Sequence, residues 1–209
     1  MRNSSKIPFS LGVAILAAGR SSRMGRPKLL LPWGETSVIG HLIRQWEELG
    51  AAQIAVVCAV ADQPLFQELD RLCFPAENRI CNAAADAGMF SSVQCAARFQ
   101  KWSGDLTHWA IVLGDQPHLR PDTLRGLLEF AAARPRVISQ PGRGGHGRHP
   151  VILPHGVFAR LARSTDTTLK DFLAAGRDEV ALFETDDGGF DLDVDHPADY
   201  EQALRMRTS

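Results

Sequence analysis

The sequence predicts an α/β fold: a mostly parallel sheet of the Rossmann-like kind in a three-layer α/β/α arrangement. Short, wholly apolar segments recur along the chain, which is typical of strands buried on both faces of a sheet. Segments with helical spacing, roughly 10–15 residues long, separate them, and this alternation indicates parallel strands joined by right-handed crossovers. The 209 residues are enough for one well-buried domain. We expect that domain at residues 11–209, after a flexible N-terminus at residues 1–10.

The predicted strands are apolar and often β-branched runs bounded by turn-forming residues. The first has no polar side chain, and the run at residues 109–113 leads directly into Gly114. The later runs are shorter, and the last third of the chain can add an antiparallel strand to the sheet. The predicted strands are residues 13–17, 53–60, 79–82, 109–113, 137–140, 151–153, 180–183 and 190–194.

The predicted helices begin at capping residues and repeat apolar positions every three or four residues. Thr36 or Ser37 can cap a helix whose apolar face runs from Val38 to Leu49, and Gly50 closes it. The remaining helices are predicted at residues 63–72, from the segment at 88–92 to about residue 102, at 123–132 behind an Asp122 cap, twice within 157–174, and at 197–206.

Composition and charge exclude several classes of partner. The formal net charge is −1, so no global field attracts nucleic acid or an anionic membrane, and any anion must be bound by a local cluster. The sequence has no signal-peptide pattern and no apolar run long enough to span a membrane, which indicates a cytoplasmic protein. The cysteines show no C-x-x-C pairing and are expected to be free thiols, mostly in the core: Cys58, Cys73, Cys81 and Cys95.

The opening segment, VAILAAGRSSRMGRPK at residues 13–28, has the features of a phosphate-binding loop. A buried strand leads into small residues at Ala18 and Gly19, and exposed amides and four cations follow: Arg20, Arg23, Arg26 and Lys28. The spacing of its glycines and lysine differs from that of a P-loop, and no G-x-G-x-x-G follows the strand. A basic surface loop after a core strand is the alternative.

The pattern LAAGxSxRMGxxK within this segment resembles the MobA-like nucleotidyltransferases, most closely their molybdenum cofactor cytidylyltransferase branch. The resemblance implies the fold of nucleotide-diphospho-sugar transferases. A second match is GMFSS at residues 88–92, which is similar to the family's segment that lies along the nucleotide. The alternative is that Ser91 is an ordinary N-cap of the following helix, which would account for the same residues without a ligand. The nucleotide-binding residues implied are Leu16, Ala17, Ala18, Gly19, Arg20, Arg23, Lys28, Gly88, Ser92 and Gly114.

Three aspartates are candidates for binding a divalent cation. Asp115 directly follows an apolar strand, so it is expected at the rim of the sheet, where ligands bind in open parallel sheets. Its tetrapeptide, GDQP, matches the metal-binding turn of the family, although Asp115 can also simply close a turn before Pro117. Asp193 and Asp195 lie two apart on a predicted strand and would share one face. The resemblance implies that one of them supports the metal, without saying which.

The glycine-rich segment at residues 141–150 is predicted to be a mobile loop on the side of the acceptor substrate. Its cationic and imidazole side chains can meet an anion, and the resemblance assigns Arg148 and His149 to the acceptor. A catalytic base is unnecessary, because a phosphate nucleophile is already ionised at neutral pH. A flexible, solvated loop without a ligand is the alternative.

These patterns together predict a Mg²⁺-dependent nucleotidyltransferase in which Arg23, Lys28 and Asp115 are catalytic. The resemblance implies that CMP is transferred from CTP to a molybdopterin-type acceptor with release of pyrophosphate, and that a molybdoenzyme is a candidate partner. Ala17 and Ala18 favour cytidylyl over guanylyl transfer, because the guanylyl branch usually has two glycines there. Two alternatives stay open: another acceptor or donor (GTP with molybdopterin, or a sugar or polyol phosphate), and a non-catalytic accessory protein for molybdoenzyme maturation.

Overall fold

The computed structural model describes residues 9–176 and 178–207. The predicted flexible terminus at residues 1–10 therefore lies outside the described residues, except for Phe9 and Ser10. Within the described part the main sheet has eight strands. They are β1 (Leu11–Leu16), β2 (Gln53–Ala59), β3 (Arg79–Asn82), β4 (His108–Leu113), β5 (Ile138–Arg143), β6 (His146–Gly147), β7 (Val151–Pro154) and β8 (Val180–Glu184).

The sheet is mostly parallel, as predicted. Its strands follow the order β8-β5-β7-β4-β1-β2-β3, and β6 pairs with β5. Strand β1 is the centre of the parallel part, with β2 and β4 as parallel neighbours on either side. Strand β7 is the antiparallel piece expected in the last third, and it lies between β4 and β5. A separate two-stranded ribbon pairs Pro32–Trp33 with Thr36–Ser37.

Helices cover both faces of the sheet and make the predicted three layers. Alternate residues of β1 point to opposite faces: Val13 and Ile15 belong to one buried cluster, Ala14 and Leu16 to the other. The first face is packed by α1 (Val38–Glu48), α2 (Gln63–Arg71), α4 (Pro121–Ala132) and α7 (Pro197–Arg207). The second is packed by α3 (Met89–Arg98), α5 (His155–Leu161) and α6 (Leu169–Ala175).

Helix α1 begins and ends where the sequence predicts. The Ser37 hydroxyl accepts a hydrogen bond from the backbone N–H of Gly40 at 3.1 Å, which satisfies a donor that the first helical turn leaves free. At the other end Gly50 has a φ of 84°, the left-handed conformation that stops a helix.

Two other helix boundaries differ from the prediction. Helix α4 starts at Pro121 rather than at residue 123, because proline is pre-organised for the first helical position, and Asp122 lies in the first turn instead of capping it. Helix α3 ends at Arg98 rather than near residue 102, since Phe99 turns to extended backbone, with φ −68° and ψ 121°.

The predicted strand at residues 190–194 is absent from the described part of the chain. Gly188–Asp191 is a 3₁₀ turn, started by the Asp187 carboxylate, which accepts from the Gly189 N–H at 3.0 Å. Phe190 and Val194 are each 2% exposed, so the apolar residues of the segment are buried without a sheet partner. The burial that the apolar residues predict is therefore confirmed, and the predicted strand is wrong.

The glycine-rich segment at residues 141–150 contains a β-hairpin, which the sequence analysis does not predict. Strand β5 continues through Pro141 to Arg143, and Arg143 pairs with His146. Gly144 and Gly145, with φ of 58° and 75°, form the two-residue hairpin turn between them. Both central residues of such a turn need positive φ, which Gly-Gly adopts without strain.

The cysteines are free thiols, as expected, but most are not in the core. Cys58 is buried, Cys95 is partly buried, and Cys73 and Cys81 are exposed. Among the described residues no helix has the length and apolar character needed to cross a membrane.

Candidate active site

The site lies where β1 and β4 end side by side. Leu16 is opposite Leu113 in the parallel register, and the N–H of Gly114 donates to the carbonyl of Leu16 at 3.1 Å. A Cβ atom on Gly114 would lie 2.8 Å from that carbonyl oxygen, so only glycine fits. This close approach places Asp115 directly beside the loop that follows β1.

The loop after β1 folds back on itself and returns Lys28 to the strand ends. Ser21 is left-handed, with a φ of 50°, and its hydroxyl accepts from the backbone N–H of Lys28 at 3.1 Å. The 3₁₀ turn Ser22–Met24 follows, and Met24 anchors it with only 5% of its surface exposed. Sequence reasoning predicts no role for Ser21, although this residue stands in the pattern LAAGxSxRMGxxK.

Lys28 bridges two carboxylates at this position. Its Nζ donates to Asp115 Oδ2 at 2.7 Å and to Asp195 Oδ1 at 3.0 Å, and its side chain is 12% exposed. Arg23 contacts the other oxygen of Asp195, with 2.7 Å between Nη2 and Oδ2. Of the three aspartates predicted to bind metal, Asp115 and Asp195 converge on Lys28, whereas Asp193 accepts from Gln116 Nε2 at 2.9 Å.

The charged side chains in this cluster shift one another's pKa values. Burial disfavours the Lys28 cation, but the charge and hydrogen bond of Asp115, helped by Asp195, outweigh it and raise the Lys28 pKa above its ordinary value. Burial opposes the Asp195 anion as well, and the hydrogen bond and charge of Lys28, with Arg23, bring its pKa below the ordinary range. Lys28 and Asp195 are therefore both charged at neutral pH.

The residues present fit a divalent cation whose other ligands would be phosphate oxygens. Asp115 Oδ1 is buried and has no hydrogen-bond partner, so one hard oxygen donor is free to bind a cation. In the described ranges no group of three or more His, Cys, Asp or Glu side chains is arranged around a common point. Mg²⁺ is commonly held by one or two carboxylates plus phosphate oxygens, which matches this set.

A cavity of about 370 Å³ opens beside the cluster. All but one of the residues predicted to bind nucleotide line it; the exception, Arg23, lies outside it, against Asp195. The lining also includes five residues that sequence reasoning did not name. The predicted lining residues are Leu16, Ala17, Ala18, Gly19, Arg20, Lys28, Gly88, Ser92 and Gly114, and those not named are Leu29, Ala85, Asp86, Met89 and Leu113.

The far wall of the cavity is the start of α3. Ser91 is not its N-cap: the helix starts at Met89 behind Gly88, and the Ser91 hydroxyl lies within hydrogen-bond distance of the backbone carbonyls of Ala84 and Gly88, at 2.9 and 2.7 Å. Asn82, which the sequence did not single out, holds this wall through its Nδ2, which donates to the hydroxyl of Ser91 at 2.8 Å and to that of Ser92 at 3.0 Å.

An exposed ion pair spans the mouth of the cavity. The Arg20 guanidinium, from the loop after β1, contacts the Asp86 carboxylate, from the loop before α3. Both side chains are more than two-thirds exposed, at 76% and 69%, so the pair holds the two loops together only weakly.

The two residues predicted to bind the acceptor have different surroundings. Arg148 contacts Asp191, with 2.8 Å between Nη2 and Oδ1, and Arg143 contacts the same carboxylate from β5. His149 is partly buried, and its Nδ1 lies 3.3 Å from the carbonyl of Ile111 in β4. Burial lowers the His149 pKa, so its ring is neutral at neutral pH and contributes no positive charge.

The sequence is similar to those of known bacterial proteins. A probable molybdenum cofactor guanylyltransferase from Carboxydothermus hydrogenoformans is 27% identical over 214 residues, covering 94% of this chain and 96% of its own. The bifunctional protein GlmU of Thermosynechococcus vestitus is 31% identical over 153 residues, and the match takes in 65% of this chain. The chain spans about a third, 31%, of the length of that GlmU.

A solved structure agrees with the fold over nearly the whole chain. Rv0371c from Mycobacterium tuberculosis is 26% identical and superposes with a TM-score of 0.72, covering 94% of this chain and 98% of its own. The same protein is also known as a complex with manganese, at 25% identity and a TM-score of 0.71. The family model described as the MobA-like NTP transferase domain matches residues 13–180, and the chain belongs to that family.

Proposed function

We propose that the protein transfers a nucleotidyl group from an NTP to a phosphorylated acceptor and releases pyrophosphate. The observation that carries the proposal is Lys28, which lines the cavity and bridges Asp115 and Asp195 at one end of it. A single ammonium between two carboxylates, beside a nucleotide-sized cavity and a basic loop, supports binding of a triphosphate together with a cation.

In the proposed reaction, an oxygen of the acceptor's terminal phosphate forms a bond to the α-phosphorus of the NTP. The bond from that phosphorus to the bridging oxygen of the pyrophosphate breaks in line, and the oxygen keeps the electron pair. Lys28 and Arg23 neutralise the charge that grows on the leaving pyrophosphate. The protein positions the two phosphates and supplies charge, and no side chain needs to move a proton.

Asp115 and Asp195 are the residues that would hold a divalent cation, for which we propose Mg²⁺. When bound, the cation neutralises phosphate charge and aligns donor and acceptor. In this proposal Lys28 exchanges its carboxylate partners for phosphate oxygens when the NTP binds. This role requires Lys28 to be positively charged at neutral pH. The raised Lys28 pKa supports this role.

For the donor we propose CTP. Ala17 and Ala18 line the cavity, and Ala17 is 1% exposed, so its methyl group is fixed by packing. Methyl groups at the base site favour a pyrimidine over a purine by a steric filter worth roughly 1–3 kcal/mol, or about ten- to two-hundredfold. The relative from Carboxydothermus hydrogenoformans is a probable guanylyltransferase, so GTP is the competitor that an experiment must include.

For the acceptor we propose a molybdopterin-type phosphate. The end-to-end similarity to the Carboxydothermus hydrogenoformans relative, 94% of this chain and 96% of that one, supports this over a sugar phosphate. The match to GlmU covers only part of each chain.

The test is a pyrophosphate-release assay with CTP or GTP, Mg²⁺, and molybdopterin or a sugar phosphate. We expect CTP to exceed GTP by at least about tenfold in kcat/KM, and Ala18→Gly to reduce that ratio without reversing it. Lys28→Ala should weaken NTP binding and slow transfer together, because its charge meets the triphosphate before and during reaction. Equal use of both nucleotides would contradict the base assignment. Lack of turnover with every pair would contradict the transferase itself.

A further inference from the structure

The segment that carries Asp193 and Asp195 is fastened to the Asp115 turn at several points. The backbone N–H of Val194 donates to the carbonyl of Asp115 at 3.0 Å. On one side of this bond Gln116 Nε2 donates to Asp193 Oδ1 at 2.9 Å, and on the other side Lys28 joins Asp195 to Asp115. The two aspartates therefore have different partners, although they are only two residues apart.

A tight turn explains why the two carboxylates diverge. The N–H of Asp195 donates to the carbonyl of Asp193 at 3.0 Å, which reverses the chain locally, while Val194 between them is buried in the core. Downstream, Asp199 in α7 accepts from the N–H groups of Asp195 and His196 at 3.1 and 2.7 Å. Helix α7 therefore fixes the backbone of Asp195 on its downstream side. On the upstream side, the position of Asp195 depends on the contact between Asp193 and Gln116.

Gln116 is committed to Asp193 by its burial. The residue is 4% exposed, and its Oε1 is buried without a hydrogen-bond partner. If Asp193 turned away to bind a cation, the Nε2 group would lose its bond to the carboxylate as well. A buried amide left without hydrogen-bond partners is unfavourable, which opposes such a movement.

We propose that Gln116 and Asp193 are a positioning pair for the cation site that Asp115 and Asp195 would form. The pair fixes the backbone on one side of the Val194 to Asp115 hydrogen bond and so sets where Asp195 stands relative to Asp115. The inference rests on the proposed function, because it concerns the cation that the transfer needs. Gln116 and Asp193 act through Asp115 and Asp195 and touch no reacting atom.

The test measures Mn²⁺ affinity from the free-ion EPR signal, with the protein and CTP present and with GTP in a parallel series, each corrected for the Mn²⁺ that the nucleotide alone binds. Asp193→Asn keeps a carbonyl oxygen that accepts from Gln116, so we expect its Mn²⁺ Kd within about threefold of the unmodified protein. Asp193→Ala and Gln116→Ala each lose the bond and should raise Kd by about tenfold, the usual effect of residues that orient metal ligands. Their double variant should be no weaker than either alone. Asp195→Asn should weaken binding more than any of these.

A control separates positioning from general stability. Asp187 is 9% exposed on the same segment, and its carboxylate accepts from Gly189 N–H and from the Thr123 hydroxyl, at 3.0 and 2.8 Å. Asp187→Ala should lower Tm and leave Mn²⁺ affinity unchanged, because the residue does not touch the Asp115 turn.

Three results would overturn the inference. Equal loss of affinity in Asp193→Asn and Asp195→Asn would make Asp193 a ligand. Normal affinity in both alanine variants would show that the pair positions nothing. If the unmodified protein bound no Mn²⁺ in the presence of either CTP or GTP, the proposed function would fail first, and the inference with it.

Discussion

Lys28 occupies the point at which the two acidic side chains would otherwise repel each other. Asp115 Oδ2 and Asp195 Oδ1 lie 2.7 and 3.0 Å from the same ammonium, so the cluster carries one positive charge between two negative ones. Lysine suits this position because its ammonium is a compact point charge on a flexible stem, which can move from carboxylate to phosphate oxygens.

Asp115→Asn should keep the fold and lose activity. The amide is nearly isosteric, but it removes the charge that pairs with Lys28 and would bind the cation. We expect turnover to fall on the order of a hundredfold or more, as when a charge that stabilises the transition state is removed. Pyrophosphate release at several Mg²⁺ concentrations and Tm by calorimetry measure the two effects separately.

The matched control for this prediction is Asp122→Asn, which changes the next carboxylate along the chain. Asp122 is exposed in the first turn of α4, away from the cavity lining. It should leave turnover unchanged. Near-normal turnover of Asp115→Asn at limiting Mg²⁺ would rule out the metal role of Asp115.

At this scale the sequence predicts best the residues that local context marks. Lys28 and Asp115 follow strand ends, which a sequence pattern can locate. Ser21 stands in the quoted pattern, but its hydrogen bond to Lys28 depends on how the loop folds. Gln116 stands in the quoted GDQP, but it acts on a distant segment: Gln116 and Asp193 are 77 positions apart. No local pattern encodes such a pairing.

Among the elements, β1 and β4 are the pair that the site depends on. Their ends approach so closely at Gly114 that an added Cβ atom would lie 2.8 Å from Leu16 O and 3.0 Å from Leu29 Cδ2. Leu29 can shift a little, but the backbone of a central strand cannot. The glycine therefore fixes the spacing between the basic loop and Asp115.

Gly114→Ala should separate the two strand ends and displace Asp115. We expect a loss of stability of about 1–3 kcal/mol from overpacking, and a fall in kcat/KM larger than that loss of folded protein explains. Urea denaturation and pyrophosphate assays measure the two. Gly104→Ala is the control, because a Cβ there meets nothing within 4 Å. Wild-type activity in Gly114→Ala would show that this spacing does not set the site.

The sequence predicts elements well where burial and periodicity agree. The strands of the parallel half and helix α1 satisfy both. At residues 190–194 the apolar pattern predicts a strand, but Gly188 and Gly189 allow a 3₁₀ turn that buries Phe190 without a sheet partner. In the hairpin after β5, the high glycine content predicts a loop, but Gly-Gly also forms a tight two-residue turn.

Across the whole molecule, buried histidines make stability depend on pH. His108 is 1% exposed in β4; its Nε2 donates to the Pro135 carbonyl at 3.1 Å, and its Nδ1 accepts from the Thr107 hydroxyl at 2.8 Å. Such a ring is stable as a neutral group, and burial is the main cause that lowers its pKa. Burial lowers the pKa of three further histidines in the same way: His41, His118 and His149.

The folded protein should therefore lose stability as the pH falls below neutrality. Each of these groups has a folded pKa below its ordinary value of 6.5, so the unfolded chain takes up protons first. Their contribution is fully present above pH 6.5 and is lost as the pH falls through the folded pKa. His108→Gln should show a smaller decline in the free energy of unfolding between about pH 7.5 and about pH 5.5, measured by urea denaturation. His146→Gln, at the exposed hairpin turn, should decline like the unmodified protein. An equal decline in all three proteins would show that buried neutral His108 does not contribute to the acid sensitivity of the fold.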